Sequence, residues 1–202
     1  MDRTEAEQKL KETFRLERFF DDQWVTIEQL FAGKRILLIE KTGFGKSLCY
    51  QFPATQFPGT TVIFSPLIAL MRDQINYLKS INVDCECINS EQTMEENSEI
   101  LERALQGKLK MIYIAPERQE NPEWLEAVRK MHLSMVVIDE AHCVSVWGHD
   151  FRPAFRRIIN LVKLLPADFP VLATTATATP RVAEDIMHQM GDNVTQVRGQ
   201  LM

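Results

Sequence analysis

The residues with the clearest chemical potential follow a short apolar run, Ile36–Ile39. They are Glu40, Lys41, Thr42, Gly43, Phe44, Gly45, Lys46 and Ser47. Glycines let backbone N–H groups turn inward and approach phosphate oxygens closely. The next residues, Leu48–Phe52, are compatible with a helix, and the positive end of a helix favours an anion. The pattern therefore predicts a phosphate-binding loop between a strand and a helix.

Each residue type in this loop has a chemical reason. Lys46 would reach the β and γ phosphates of a nucleoside triphosphate, and Ser47 would hold magnesium. Such loops usually begin with a small residue six positions before the lysine, where this chain has Glu40. A carboxylate near phosphates is unfavourable unless it points away. An ordinary strand-to-helix turn is the alternative interpretation.

A second chemical stretch follows another apolar run, Met135–Ile138. It begins with Asp139 and Glu140 and ends with His142. In a phosphate-loop enzyme, Asp139 would hold the magnesium, directly or through water, and Glu140 would polarise the attacking water. An Asp-Glu pair alone is weak evidence and would normally indicate a solvated loop, but together with the phosphate loop it favours a nucleotide-hydrolysing site.

Three more predicted strands end in polar residues. Ser65, Arg118 and the run Thr174–Thr177 occupy these positions. Ligands collect at the carboxyl ends of strands in an open parallel sheet, so these hydroxyls and this arginine could bind a phosphate backbone. Helix capping by Ser65 and Thr179, and a plain surface charge at Arg118, explain the same residues equally well.

An aromatic loop, which we define as Cys143–Pro153, follows the Asp-Glu pair. It contains Trp147, His149, Phe151 and Arg152 within a Gly/Pro-bounded segment. Aromatic side chains together with arginine suit base stacking on single strands. The alternative is a loop whose Trp147 and Phe151 fill the core.

Strands and helices alternate along most of the chain, which favours a parallel sheet with helices on both faces. Strands are predicted at Arg35–Ile39, Thr61–Phe64, Val83–Ile88, Met111–Ile114, Met135–Ile138, Val171–Thr174 and Val194–Val197. Helices are predicted within 3–20 and at Gln23–Phe31, Ser47–Ala54, Leu67–Lys79, Met94–Leu105, Pro122–Met131, Phe155–Leu164 and Pro180–Met190. Asp21 and Asp22 can cap the second helix, and Gly33 ends it.

Composition sets limits on function. Of the 202 residues 45% are apolar, which is typical of a globular protein. The formal net charge of −5 argues against a large nucleic-acid-binding surface. Any nucleic-acid contact should therefore be local. The four cysteines form no zinc pattern, and we expect Cys85 and Cys87 to pack in the core. This cysteine usage fits a reduced intracellular compartment. The sequence shows no signal-peptide pattern at its N-terminus and no apolar run long enough to cross a membrane.

The combined motifs resemble the first motor domain of RecQ-type DNA helicases, within helicase superfamily 2. The similar segments are 42–51, 65–74, 113–118, 139–142, 143–153 and 175–177, and the resemblance runs from about Phe19 to the C-terminus. It implies a RecA-like phosphate-loop fold at 21–202 after a helical lead-in at 1–20, with ATP and Mg²⁺ as cofactors. In relatives an upstream glutamine reads adenine, and Gln23 takes its place. The family usually has Arg and Pro just before that glutamine, where Phe20 and Asp21 stand here, and a small residue where Phe44 stands.

The resemblance also implies residue roles. The catalytic residues would be Lys46, Asp139, Glu140 and His142. Gln23 and residues 42–47 would bind the nucleotide, and Ser47 and Asp139 would bind the metal. The residues expected to touch DNA or couple it to hydrolysis are Ser65, Arg72, Asn89, Ser90, Arg118, Trp147, His149, Phe151, Arg152, Thr175 and Thr177. The implied activity is ATP-driven 3′-to-5′ movement on single-stranded or forked DNA. Its implied location is the cytoplasm of a bacterium or the nucleus of a eukaryote.

Such motors also have a second similar domain, which supplies an arginine to the γ-phosphate. Residues 197–202 resemble the joint into that domain, so the chain is expected to be one lobe that turns ATP over slowly alone. Two other interpretations remain open. One is a DNA-binding or regulatory module with a degenerate ATPase site, and the other is a phosphate-loop ATPase that acts on proteins or small molecules.

Overall fold

The computed structural model describes residues 1–199, and its core is a seven-stranded parallel sheet. The strands are β1 (Arg35–Ile39), β2 (Thr60–Phe64), β3 (Cys85–Ile88), β4 (Met111–Ile114), β5 (Leu133–Ile138), β6 (Val171–Thr175) and β7 (Val194–Arg198). Their order across the sheet is β3-β4-β2-β5-β6-β1-β7, and every pair is parallel. The predicted α/β fold with a RecA-like sheet is confirmed.

Helices cover both faces of this sheet. They are α1 (Arg3–Phe14), α2 (Asp21–Phe31), α3 (Leu48–Gln56), α4 (Ile68–Ser80), α5 (Met94–Leu105), α6 (Pro122–Lys130), α7 (Phe155–Leu164) and α8 (Pro180–Met190). Neighbouring residues of a strand point to opposite faces, so Leu38 packs in the cluster with α1–α4 while Leu37 packs in the cluster with α5–α8. Burial on both sides explains why the central strands are continuous apolar runs.

Differences from the predicted boundaries occur mainly at element ends. The first helix stops at Phe14 rather than near residue 20, because Arg15 takes a left-handed conformation with φ 59°. The N-cap of α2 is Phe20 rather than an aspartate, so the predicted cap is wrong. Asp21 and Asp22 instead occupy the first turn, where carboxylates still favour the helix dipole. The two short 3-10 helices, Pro116–Glu120 and Ala141–Val144, were not predicted.

The N-terminal segment packs on the same core as the rest of the chain. Leu10 and Phe14 of α1 are buried, and the Phe14 ring lies 6.3 Å from that of Phe52. The division into 1–20 and 21–202 stays a prediction. The last part of the predicted interdomain joint, 200–202, lies outside the described residues. Within 1–199, none of the helices combines the length and apolarity needed to cross a bilayer.

Candidate functional site

The carboxyl ends of the strands open into a cavity of about 450 Å³. The phosphate loop enters it from the end of β1, and the Asp-Glu pair enters it from the end of β5. Lys46, Ser47, Asp139 and Glu140 all line this single cavity. The two motifs lie far apart in the sequence, but the fold brings them together at one edge of the sheet.

The loop conformation depends on its glycines. Gly43 and Gly45 have φ values of 90° and 86°, which a residue with a side chain rarely adopts. The backbone N–H of Phe44 donates to the Lys41 carbonyl at 3.2 Å and closes the turn between them. The loop then runs directly into α3, whose first three N–H groups donate to the carbonyls of Gly45, Lys46 and Ser47.

Lys46 is half-buried within polar surroundings. Its Nζ donates to the main-chain oxygens of Glu40 at 2.7 Å and of Lys41 at 3.1 Å. Burial lowers the pKa of the Lys46 amine, while the carboxylates of Asp139 and Glu140 act in the opposite direction. The side chain is thus a cation held on the loop's own carbonyls, at the cavity that phosphates would enter.

Asp139 is held in place by hydroxyl groups from two neighbouring strands. Thr174 Oγ1 donates to Asp139 Oδ1 at 2.9 Å, and Ser65 Oγ donates to Oδ2 at 3.4 Å. Magnesium takes oxygen ligands and usually keeps several waters, binding through one or two protein groups together with substrate phosphates. The Asp139 carboxylate and the Ser47 hydroxyl in a roomy polar cavity fit that requirement.

Glu140 begins a relay of contacts along the sheet edge. Its backbone is left-handed, with φ 55°, and burial followed by the neighbouring Asp139 raises the pKa of its carboxyl. Two residues later, His142 Nδ1 lies 2.9 Å from Thr175 Oγ1, and Thr175 in turn donates to the Thr177 carbonyl at 3.0 Å. The Asp-Glu segment is therefore linked to the polar run after β6.

The aromatic loop is anchored to the same segment but exposes its indole. The His149 ring stacks on that of His142 with centroids 4.7 Å apart. Trp147 is 56% exposed, so the alternative interpretation, in which Trp147 fills the core, is wrong. The Arg181 guanidinium lies over the Trp147 ring, 3.5 Å from its centroid. Phe151 is half-buried, with Arg156 5.3 Å from its ring.

The other residues predicted to contact DNA differ in exposure. Arg72 is exposed and forms an ion pair with Glu91. Asn89 is only 1% exposed, and its side chain accepts from the Glu91 N–H and contacts Cys87 Sγ. Ser65 is also buried, against Asp139, whereas Arg118 is half-buried. Their roles in binding DNA stay predictions.

Two residues that shape the site were not singled out from the sequence, and a third, Thr174, was predicted only as a possible contact for a phosphate backbone. Thr174 positions Asp139, and α8 contributes Arg181 to Trp147 and Asp185 to the aromatic loop, where Ser145 Oγ donates to Asp185 Oδ2 at 2.6 Å. Arg181 and Asp185 lie four apart, so they share one helix face. That spacing was the available signal, but only the fold shows that this face meets the loop.

Glu40, the unusual residue at the start of the loop, is buried beneath it. It is 6% exposed, and its Oε1 has no hydrogen-bond partner among the described residues. A Cβ on Gly199 would lie 1.9 Å from Oε2, so the carboxyl fits closely against that glycine. Burial, and then the carboxyl of Asp22, raise the pKa of Glu40, against weaker opposing effects from Lys46 and Lys41.

Replacing Glu40 with glutamine should stabilise the fold increasingly as pH rises. Because the folded-state pKa of Glu40 is raised, its favourable contribution is complete at acidic pH and is lost as pH rises through that pKa. Glu40→Gln removes the buried carboxyl that would have to ionise. We expect the variant to melt above the wild type at pH 8 and to lose this advantage toward pH 4.5. Equal shifts at both pH values, or a matching gain in the exposed control Glu28→Gln, would contradict this account.

Comparison with known proteins identifies similar sequences over most of the chain. The sequence profile of DEAD/DEAH box helicases matches residues 20–186. "ATP-dependent DNA helicase RecQ" of Bacillus subtilis is 41% identical over 186 residues, covering 92% of this chain and 32% of the relative. The protein of the same name in Haemophilus influenzae is 37% identical over 181 residues, covering 90% and 29%. The chain thus spans about a third of these curated relatives.

Solved structures with a similar fold are more distant in sequence. A hypothetical ATP-dependent RNA helicase from Sulfolobus tokodaii superimposes with a TM-score of 0.70 at 15% identity, covering 96% of this chain and 57% of that one. The DUF1998 helicase MrfA bound to DNA gives a TM-score of 0.71 at 16% identity, covering 96% and 29%. At these identities the likeness supports the fold alone.

Proposed function

The chain belongs to the DEAD/DEAH box helicase family, and from this premise we propose that it is the ATP-binding lobe of a RecQ-type ATP-dependent DNA helicase. One observation carries the proposal: Lys46, Ser47, Asp139 and Glu140 line a single cavity at the carboxyl edge of the sheet. The similarity to RecQ helicases over about nine-tenths of the chain supports the choice of DNA over other substrates.

The residues of the cavity divide the work of phosphoryl transfer. Lys46 would leave the Glu40 and Lys41 carbonyls and neutralise the β and γ phosphates. Asp139, oriented by the Thr174 hydroxyl, would hold a magnesium ion together with Ser47. A bound magnesium ion would supply charge neutralisation on the phosphate oxygens. Glu140, whose carboxyl pKa is raised by burial, would orient a water and accept its proton.

The DNA side of the proposal rests on the aromatic loop. An exposed indole with a guanidinium on one face offers its other face to a base, and base stacking on aromatic side chains tolerates any sequence. His149 on His142, and His142 on Thr175, connect that loop to the residue pair that would act on ATP. We propose single-stranded or forked DNA as the partner, with 3′-to-5′ movement and an intracellular location.

A second lobe is part of the proposal. In related phosphoryl-transfer enzymes an arginine donated across the site contributes roughly 10³–10⁵ in rate. Among the residues lining the cavity no arginine occurs within the described chain. We therefore propose that a further RecA-like domain completes the site and that this chain alone binds nucleotide without unwinding DNA.

Steady-state hydrolysis tests the proposal directly. The 202-residue chain should bind Mg·ATP yet hydrolyse it at least about 10³-fold more slowly than the Bacillus subtilis relative measured beside it with single-stranded DNA. The control is nucleotide binding by the same preparation, which shows that the site is folded. Robust DNA-stimulated turnover by this chain alone would contradict the need for a second lobe, and absence of nucleotide binding would contradict the site itself.

A regulatory module with a degenerate ATPase site is the second candidate. It is favoured by the buried Glu40 at the start of the phosphate loop, since a carboxylate there opposes the charge of bound phosphates. The two candidates differ in a single measurement: the degenerate module should bind DNA without binding nucleotide.

A further inference from the structure

Three side chains with different donor atoms meet where the Asp-Glu segment joins the aromatic loop. A ring nitrogen of His142, the Cys143 sulfur and a carboxylate oxygen of Asp150 lie within 4.8 Å of one another. Within residues 1–199, no second group of three such ligand atoms lies this close together. Nitrogen, sulfur and oxygen donors in this mixture are the ligands that Zn²⁺ takes in proteins.

The backbone of the aromatic loop places Asp150 beside the cysteine. The Arg152 N–H donates to the Cys143 carbonyl at 3.0 Å and closes the loop, and Cys143 Sγ lies 3.9 Å from Asp150 Oδ2. A sulfur and an oxygen bound to one tetrahedral zinc ion lie about 3.6 Å apart, given the usual zinc–ligand distances. This pair is therefore close to the spacing that zinc needs, and the wider separations in the group would shorten by about 1 Å on binding.

The His142 ring is already oriented as a metal ligand. Its Nδ1 lies 2.9 Å from Thr175 Oγ1, and the Thr175 hydroxyl donates its one proton to the Thr177 carbonyl. Because that hydroxyl can then only accept, Nδ1 carries the ring proton and Nε2 keeps its lone pair. Metal-binding histidines usually donate their second ring N–H to a neighbouring oxygen in this way. His149 stacks on the face of the ring, whereas the lone pair lies in the ring plane.

Two existing interactions oppose a bound ion, and both are of a kind that zinc displaces. Arg152 Nε and one of its Nη atoms donate to Asp150 Oδ2 at 3.3 and 3.2 Å. The two side chains are 38% and 45% exposed, and ion pairs this exposed contribute little to stability. Burial raises the pKa of the Cys143 thiol to about 12, so a metal must also displace its proton, as metals do from the thiols they bind.

We propose that His142, Cys143 and Asp150 form a zinc site, with water in the fourth position, that links the aromatic loop to the Asp-Glu segment. The site is separate from the magnesium position at Asp139 and Ser47, and it does not depend on nucleotide binding. A bound ion would hold the loop on His142 and release Arg152 from its carboxylate partner.

Cobalt(II), which binds to the same ligands as zinc and absorbs light, tests the site on the whole 202-residue chain. With the cysteines kept reduced and Mg²⁺ in excess, added Co²⁺ should give a thiolate-to-cobalt charge-transfer band in the near ultraviolet, and Zn²⁺ should abolish it. Magnesium occupies sites made of oxygen ligands alone, and cobalt bound there gives no thiolate band. Absence of the band when Co²⁺ is well above the protein concentration overturns the inference.

Substitutions assign the band to this group of residues. Cys143→Ala should remove it, whereas the control Cys87→Ala, which alters another buried cysteine, should keep it. Asp150→Asn keeps the thiol and should weaken Zn²⁺ binding at least about tenfold, because even the indirect partners of metal ligands contribute 10–100-fold. Thermal melting without metal shows that each variant is folded. A band that persists in Cys143→Ala, or a zinc affinity in Asp150→Asn equal to that of the wild type, overturns the inference.

Discussion

Lys46→Ala is expected to weaken Mg·ATP binding by roughly 100-fold. Hydrogen bonds from a charged donor contribute about 1.5–3 kcal/mol each, and about 1.4 kcal/mol corresponds to tenfold in affinity. Lys46 lines the phosphate cavity and is held there by two loop carbonyls, so its Nζ needs only a local rearrangement to reach phosphate oxygens. Equilibrium binding of a fluorescent ATP analogue measures the loss.

The matched control is a lysine in the same loop. Lys41 is exposed and contributes its main-chain oxygen, which a substitution retains, to the turn and to Lys46. Lys41→Ala should therefore change nucleotide affinity much less than Lys46→Ala. If the two variants lose affinity equally, the general positive charge of the loop matters and the specific position of Lys46 does not.

Gly33→Ala is expected to destabilise the fold by about 2–5 kcal/mol. Gly33 has φ 78°, a left-handed conformation that costs a residue with a side chain about 1–2 kcal/mol. In addition, a Cβ there would lie 2.3 Å from the main-chain oxygen of Asp168, and relieving such overpacking costs about 1–3 kcal/mol. Denaturant unfolding followed by circular dichroism measures the change.

Gly107→Ala isolates the conformational part of this cost. Gly107 follows α5 as Gly33 follows α2, and its φ of 73° is similar, but a Cβ there would meet no atom within 4 Å. This variant should lose only about 1–2 kcal/mol. Equal losses in both variants would show that the contact with Asp168 relaxes without cost.

Local patterns allowed much of the fold and the main chemistry to be predicted from sequence. The phosphate loop and the Asp139–Glu140 pair each combine an apolar strand with polar residues directly after it, and such signals need only neighbouring residues. Parallel strands place their carboxyl ends at one edge, so the convergence of Lys46 and Asp139 on one cavity followed from the alternation of strands and helices.

The remaining features depend on contacts between distant parts of the chain. Asn89 lies at the predicted strand end, but its side chain turns toward Glu91 and Cys87. The stacking of Arg181 on Trp147 requires α8 to lie beside the aromatic loop. The hydrogen bonds of Gln23 likewise depend on how α2 approaches the phosphate loop. Residue type and spacing give no measure of any of these distances.

The pairing of β7 with β1 has a mechanical consequence. β7 runs parallel to β1 in register from Val194 opposite Arg35 to Arg198 opposite Ile39, and the Gly199 N–H donates to the Ile39 carbonyl at 3.0 Å. Tension applied at Gly199 along the strand axis would load this ladder in shear, so its hydrogen bonds would share the force instead of opening one by one. Because β1 ends where the phosphate loop begins, such a pull would be transmitted to the nucleotide site through a single pair of strands.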